Sequence, residues 1–238
     1  MGALISSCTK DAPPAPLPPV PPPRPRASID SSRRRAPARL VDEILDAERV
    51  DPASLAGAWD GGPNGTSSAG NSVYLDIAVA GGEPRRVTIA LRHDVAPVAA
   101  FNFRALCVGV TVAPAGAGYA GSVIHRVIPG FMVQGGDFEN GDGTGGRSVY
   151  QRRRFADEGF VLKHDAAGVV ACANSGPDSN TSQFFILLGP ADWLDGLHVV
   201  FGHVTDGMDV VKDLEPYGNP DDGAVTTRIE IVASGCAD

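Results

Sequence analysis

Residues 72–91, SVYLDIAVAGGEPRRVTIAL, set the texture of the C-terminal two thirds of the chain. Val73, Leu75, Ile77 and Val79 alternate with Tyr74, Asp76 and Ala78, and after Gly81-Gly82 the alternation resumes at Val87, Ile89 and Leu91. A period of two sends successive side chains to opposite faces, so this stretch predicts a β-hairpin with one buried face. The period then changes. Pro97 suits a first helical turn, Val98, Phe101, Ala105 and Leu106 share one helical face, and Gly109 can end the helix. Short apolar runs follow at Val123 to Ile128, Phe131 to Val133, Gly168 to Ala173, Phe184 to Leu188 and Val199 to Val204. A second helix is predicted over Gly207 to Leu214, with Asp206 as N-cap and Met208, Val211 and Leu214 inward. Ile229 and Ile231, flanked by Arg228 and Glu230, make a last alternating strand. About eight short strands with only two helices predict a mainly β fold, a closed or nearly closed barrel with helices at its ends.

Upstream the composition shifts. Residues 61–71, GGPNGTSSAGN, read as a flexible linker, and the domain boundary is placed near Asn71: an extension over 1–70, then a folded domain over 71–238. Within the extension, residues 12–25, APPAPLPPVPPPRP, favour polyproline II, because proline fixes φ and lacks the N–H that helices and sheets need. Residues 39–50, RLVDEILDAERV, suit a short helix that is marginal without a packing partner. The extension carries 8 basic and 8 acidic residues; the domain carries 12 and 20, which is the whole net charge of −8. That balance argues against general nucleic-acid binding, which needs a basic surface. No stretch approaches about 18 consecutive apolar residues, so no transmembrane helix is expected. Cys8, Cys107, Cys172 and Cys236 are scattered and form no C-x-x-C, which favours a reducing, cytoplasmic setting over a zinc site or disulfide framework.

Several motifs fail their structural context. Gly141, Gly143 and Gly146 match G-x-G-x-x-G, but residues 148–155, SVYQRRRF, do not begin a helix, so a loop is expected rather than a dinucleotide site. Asp137, Glu139 and Asp142 miss the calcium-loop spacing. The five histidines contain no i, i+4 pair, and G-x-S-x-G is missing; no metal and no organic cofactor are expected. Arg152-Arg153-Arg154 reads as a solvated turn.

Three segments combine polar and aromatic residues within apolar strands: residues 125–138, HRVIPGFMVQGGDF; 173–185, ANSGPDSNTSQFF; and 193–202, WLDGLHVVFG. Together with FNFRAL at Phe101 to Leu106 and GTGG at Gly143 to Gly146, in matching order and near-matching spacing, they resemble the cyclophilin family of prolyl isomerases from about Val73 to Cys236. The resemblance implies an eight-stranded antiparallel barrel closed by two helices, with a groove on its outer face. It implies that Arg126 is the catalytic arginine and that Gln134 holds it in position. Phe131, Met132, Phe185 and Leu194 would wall a proline pocket, with His198 at its edge. Ala173, Asn174 and Gln183 would contact the substrate, its backbone being bound by Asn174 and Gln183, and Trp193 would line the face where the family's inhibitor ciclosporin sits. The implied partners are proline-containing peptides and client proteins, met by a monomer.

The residue types suit that chemistry. Rotation about a peptide bond meets a barrier of ~18–20 kcal/mol because the nitrogen lone pair is delocalised. In the twisted transition state nitrogen becomes a hydrogen-bond acceptor, which a fixed guanidinium can meet while gaining little from the planar ground state. One charge-assisted hydrogen bond contributes about 1.5–3 kcal/mol, whereas an acceleration of ~10⁶ needs roughly 8 kcal/mol. A dry pocket favouring the less polar twisted amide must supply the rest. The competing reading keeps the barrel as a non-catalytic peptide-binding or scaffold module. Departures from the family pattern are Ile124 in place of an aromatic, Ser175 in place of a small apolar residue, Cys172 in place of methionine, a longer loop from Val110 to Ala117 and a longer turn around Arg152.

In the extension, residues 1–6, MGALIS, fit the N-myristoylation pattern at Gly2, and Cys8 can accept a second acyl chain, which would give contact with a membrane surface. An Arg- and Ser-containing start also fits an organelle transit peptide. Pro19, Pro22 and Arg24 match a polyproline ligand for SH3-type domains, beside the simpler role of spacer.

Overall fold

A computed structural model of the protein describes residues 71–109, 117–150 and 152–237. The proline tract, the 39–50 helix, the linker, Gly2, Cys8 and most of the 110–117 loop lie outside the described residues. The remainder forms a closed antiparallel barrel. In chain order its elements are β1 (Ser72–Val79), β2 (Arg85–Leu91), α1 (Pro97–Val108), β3 (Val123–Ile128), β4 (Met132–Gly135), β5 (Val169–Cys172), β6 (Phe184–Leu187), β7 (Val200–Asp206), α2 (Met208–Lys212) and β8 (Ala224–Cys236). Around the barrel the order is β1-β2-β7-β5-β6-β4-β3-β8, and β8 pairs with both β1 and β3. Among the described residues, closure leaves no unpaired edge strand.

Val73, Leu75 and Ile77 of β1 and Val87, Ile89 and Leu91 of β2 point into the interior core, as the alternation predicts. α1 differs from its expected single face: Ala99, Ala100, Phe101, Asn102, Phe103, Ala105, Leu106 and Cys107 are all buried, while Val98 is only partly so. The reason is that the helix is covered on two sides. Phe103 meets Tyr119, Phe184 and Phe201, each at 5.0 Å or, for Tyr119 and Phe184 with one another, 5.2 Å. Phe101 faces Tyr150, whose hydroxyl donates to Val98 O.

α2 corrects a second expectation. Asp206 ends β7 and caps nothing; Gly207 is the N-cap, at φ +81°. A Cβ there would run into the Arg86 carbonyl, so the tight β7–α2 junction requires glycine. Val211 and Leu214 are buried as predicted, and Met208 packs against the core from its margin.

Candidate functional site

A second apolar cluster sits on the outer face of the barrel, separate from the interior core. It comprises Met132, Val169, Ala171, Phe185, Leu187, Ala191 and Val200, with Ile128, Phe131, Leu162, Ala173 and Leu194 packed against it. Strand register explains the assembly. Arg126 pairs with Gln134, Gln134 with Phe185, Phe185 with Ala171, and Ala171 with Val200. Directly paired residues project from the same face of a sheet. One lateral row across five strands therefore runs from a cation through an amide to an aromatic floor. The neighbouring row, Ile128, Met132 and Leu187, is wholly apolar.

Arg126 reaches this face through an irregularity. The β3–β4 register shifts between Ile124 and Arg126, and Ile124 and Val127, three residues apart, are both buried inward. Unbroken alternation would have sent Arg126 into the core with Ile124. The bulge turns it outward instead. Its Nε then donates to Asp222 O at 3.1 Å. Gly223, at φ +79°, leaves the space: a Cβ there would stand 2.6 Å from Arg126 Cγ. Among the described residues Arg126 takes part in no ion pair.

Gln134 is placed beside Arg126 in register. Its Nε2 donates to Gln183 Oε1 at 3.0 Å, a bond that leaves its own Oε1 uncommitted. Phe131 stacks obliquely on Trp193 at 5.6 Å, and Trp193 is 62% exposed on a 3-10 turn, Asp192–Leu194. Leu197, four residues on, is 58% exposed. Asn174 stands at the same rim, its Nδ2 donating to Leu197 O at 2.9 Å. Ser175 is exposed, with its backbone N–H donated to Ser179 Oγ; Ile124 and Cys172 are buried within the barrel.

His198 lies edge-on to Phe185 at 5.4 Å, and its Nδ1 is 2.9 Å from Cys172 O. A carbonyl only accepts, so Nδ1 carries the hydrogen. Burial pushes the His198 pKa down, which keeps the ring neutral. Behind Phe185 lies His164, stacked at 6.0 Å with its side chain fully buried. Its backbone N–H and Nδ1 both meet Asp195 Oδ1 at 3.0 Å. These bonds hold the Asp195 carboxyl below its usual range. Neither His164 nor Asp195 carries a local signal of this role in the sequence, because the partners are 31 residues apart.

The row of Arg126, Gln134 and Phe185, the apolar floor and the exposed rim of Trp193, Leu197 and Asn174 can seat an extended peptide: apolar surface for a ring, amides for a backbone, a cation at one end. The sequence model of a family described as cyclophilin type peptidyl-prolyl cis-trans isomerase/CLD matches residues 74–235, which is nearly the whole barrel.

Proposed function

Because the chain belongs to the cyclophilin-type peptidyl-prolyl cis-trans isomerase family, we propose that it accelerates rotation about X-Pro peptide bonds in client proteins, with Arg126 as the catalytic residue. The observation that carries this reading is the state of Arg126: held at Nε by a backbone carbonyl, free of any described ion pair, and aligned in register with the apolar groove. A guanidinium neutralised by a carboxylate would have little to offer a developing lone pair. Here its Nη groups are left to donate when the prolyl nitrogen pyramidalises.

Phe131, Met132, Phe185 and Leu194 bury the proline ring and exclude water, and Ala173 extends that wall. Gln134, Gln183 and Asn174 fix the backbone on one side of the rotating bond. Trp193 and Leu197 offer apolar contact to residues flanking proline or to a ciclosporin-like macrocycle. His198 is an edge of the pocket and moves no proton. No nucleophile or proton transfer is required, since no covalent bond is made or broken.

Uncatalysed isomerisation takes ~10–100 s, so acceleration on a short X-Pro peptide is directly observable. Arg126→Ala is expected to lower kcat/KM about 10- to 100-fold, the value of one charge-assisted hydrogen bond. A wild-type chain that binds proline peptides without accelerating them would be a docking module instead. Membrane contact through an acylated Gly2 and Cys8 is a separate proposal, decided by the mass of the native N-terminus.

A further inference from the structure

The glycine-rich loop after β4 is folded around a carboxylate of its own. Asp137 is 1% exposed. Its Oδ1 accepts N–H groups from Glu139 (3.2 Å) and Asn140 (2.9 Å), and its Oδ2 accepts those of Asp142 (3.3 Å), Gly143 (2.9 Å) and Gly145 (2.9 Å). Backbone N–H groups converging on one concavity form an anion nest. Here the anion belongs to the chain. This accounts for the G-x-G-x-x-G spacing without a phosphate: Gly141, Gly143 and Gly146 adopt φ of +74°, +89° and +95°, and a Cβ on Gly145 would collide with Asp137 Oδ1. Burial by itself would raise the Asp137 pKa, but the N–H donors outweigh it and hold the carboxyl below its ordinary range.

Two carbonyls of the same loop meet the side chain of Gln183. Gly143 O and Gly145 O each accept from Gln183 Nε2 at 2.9 Å. Both amide hydrogens of Gln183 are thereby used, and its Oε1 accepts from Gln134 Nε2. From outside, Glu139 Oε2 accepts the Gly146 N–H at 2.9 Å and pairs with Arg153, which gives the basic turn a place in the loop. We propose that Asp137 is a positioning residue for peptide recognition: it shapes the loop whose two carbonyls dictate the orientation of the Gln183 amide, leaving Oε1 as the end that accepts a substrate N–H. A flipped amide would aim Oε1 at two carbonyl oxygens, so the loop forbids it. The inference deepens the isomerase reading of the groove and rests on it for the identity of the peptide.

The test uses the full chain carrying Gly145→Ala or Asp137→Asn, each alone and combined with Gln183→Ala. Two quantities are read: the side-chain amide resonances of Gln183, assigned by their loss in Gln183→Ala, and the Kd of a proline peptide. Either single variant is expected to move those resonances and weaken binding about 3- to 10-fold, with no further weakening in the Gln183→Ala background. Gly145→Ala leaves the carboxylate ionised and decides the matter if Asp137→Asn does not fold. In the unmodified chain both Gln183 amide hydrogens should exchange slowly with solvent. Exchange at the rate of an exposed glutamine, unmoved resonances in a folded variant, or losses that add in full to that of Gln183→Ala would each overturn the proposal. Neither readout needs turnover, so an inactive chain would overturn the isomerase reading and not this one.

Discussion

At the scale of single residues, burial decides which groups can respond to pH. His93 is 5% exposed, and burial, with Arg104 nearby, lowers its pKa to about 4 against the smaller opposing effect of Asp94. A histidine that stays neutral in the fold binds fewer protons than it does unfolded. Its contribution is therefore fully present above the unfolded pKa near ~6.5 and lost progressively as pH falls towards 4. That shift corresponds to about 3 kcal/mol at pH 4 from this group alone. Urea denaturation of the wild type should show stability falling across this window, and His93→Gln should flatten the slope whatever its effect on absolute stability. An equal slope in both proteins would assign the dependence to other groups.

At the scale of elements, the helix start on α1 shows what a distant side chain can do. Ala96, its N-cap, has no side-chain oxygen to offer the first N–H groups. Glu158, sixty residues on, supplies both: Oε2 accepts from Val98 at 2.9 Å and Oε1 from Ala99 at 2.7 Å. Burial raises the Glu158 pKa in spite of these two bonds, so the carboxylate is held there at a desolvation cost. Glu158→Gln keeps one acceptor and turns an amide group on the second donor. It is expected to cost about 0.5–2 kcal/mol, read as a lower urea midpoint at neutral pH. An unchanged midpoint would mean that water serves the helix end equally well.

At the scale of the whole molecule, barrel closure makes the interior accessible only through cooperative opening. Cys107 on α1 and Cys172 on β5 are fully enclosed, and burial drives both thiol pKa values well above normal. Neither should react with an alkylating reagent in the native state except at the rate of global unfolding, whereas the partly exposed Cys236 should react sooner. Mass-resolved alkylation across a urea series tests this. Modification of Cys172 far below the unfolding midpoint would show that the β5–β6–β7 face opens by itself.

Local periodicity and ordered motifs made part of the fold legible before any tertiary contact was known. Alternation at Val73 to Val79 and Val87 to Leu91 announced the hairpin, Pro97 and Gly109 bracketed α1, and the three polar-aromatic segments announced the family. Tertiary structure decided the rest. Simple alternation would place Ile124 and Arg126 on one face; only pairing with β4 and β8 reveals the bulge that turns the arginine outward. Asp222 is 96 residues from Arg126, Glu158 is 60 from Val98, and Gln183 is 40 from the Gly143 carbonyl. Even at the Asp137 nest, local in sequence, the spacing led only to the expectation of a loop; the convergence of its N–H groups on the chain's own carboxylate belongs to the folded structure. Periodicity reports which face of an element is apolar, whereas a hydrogen bond between distant segments depends on how the closed sheet brings them together, and no local spacing encodes that.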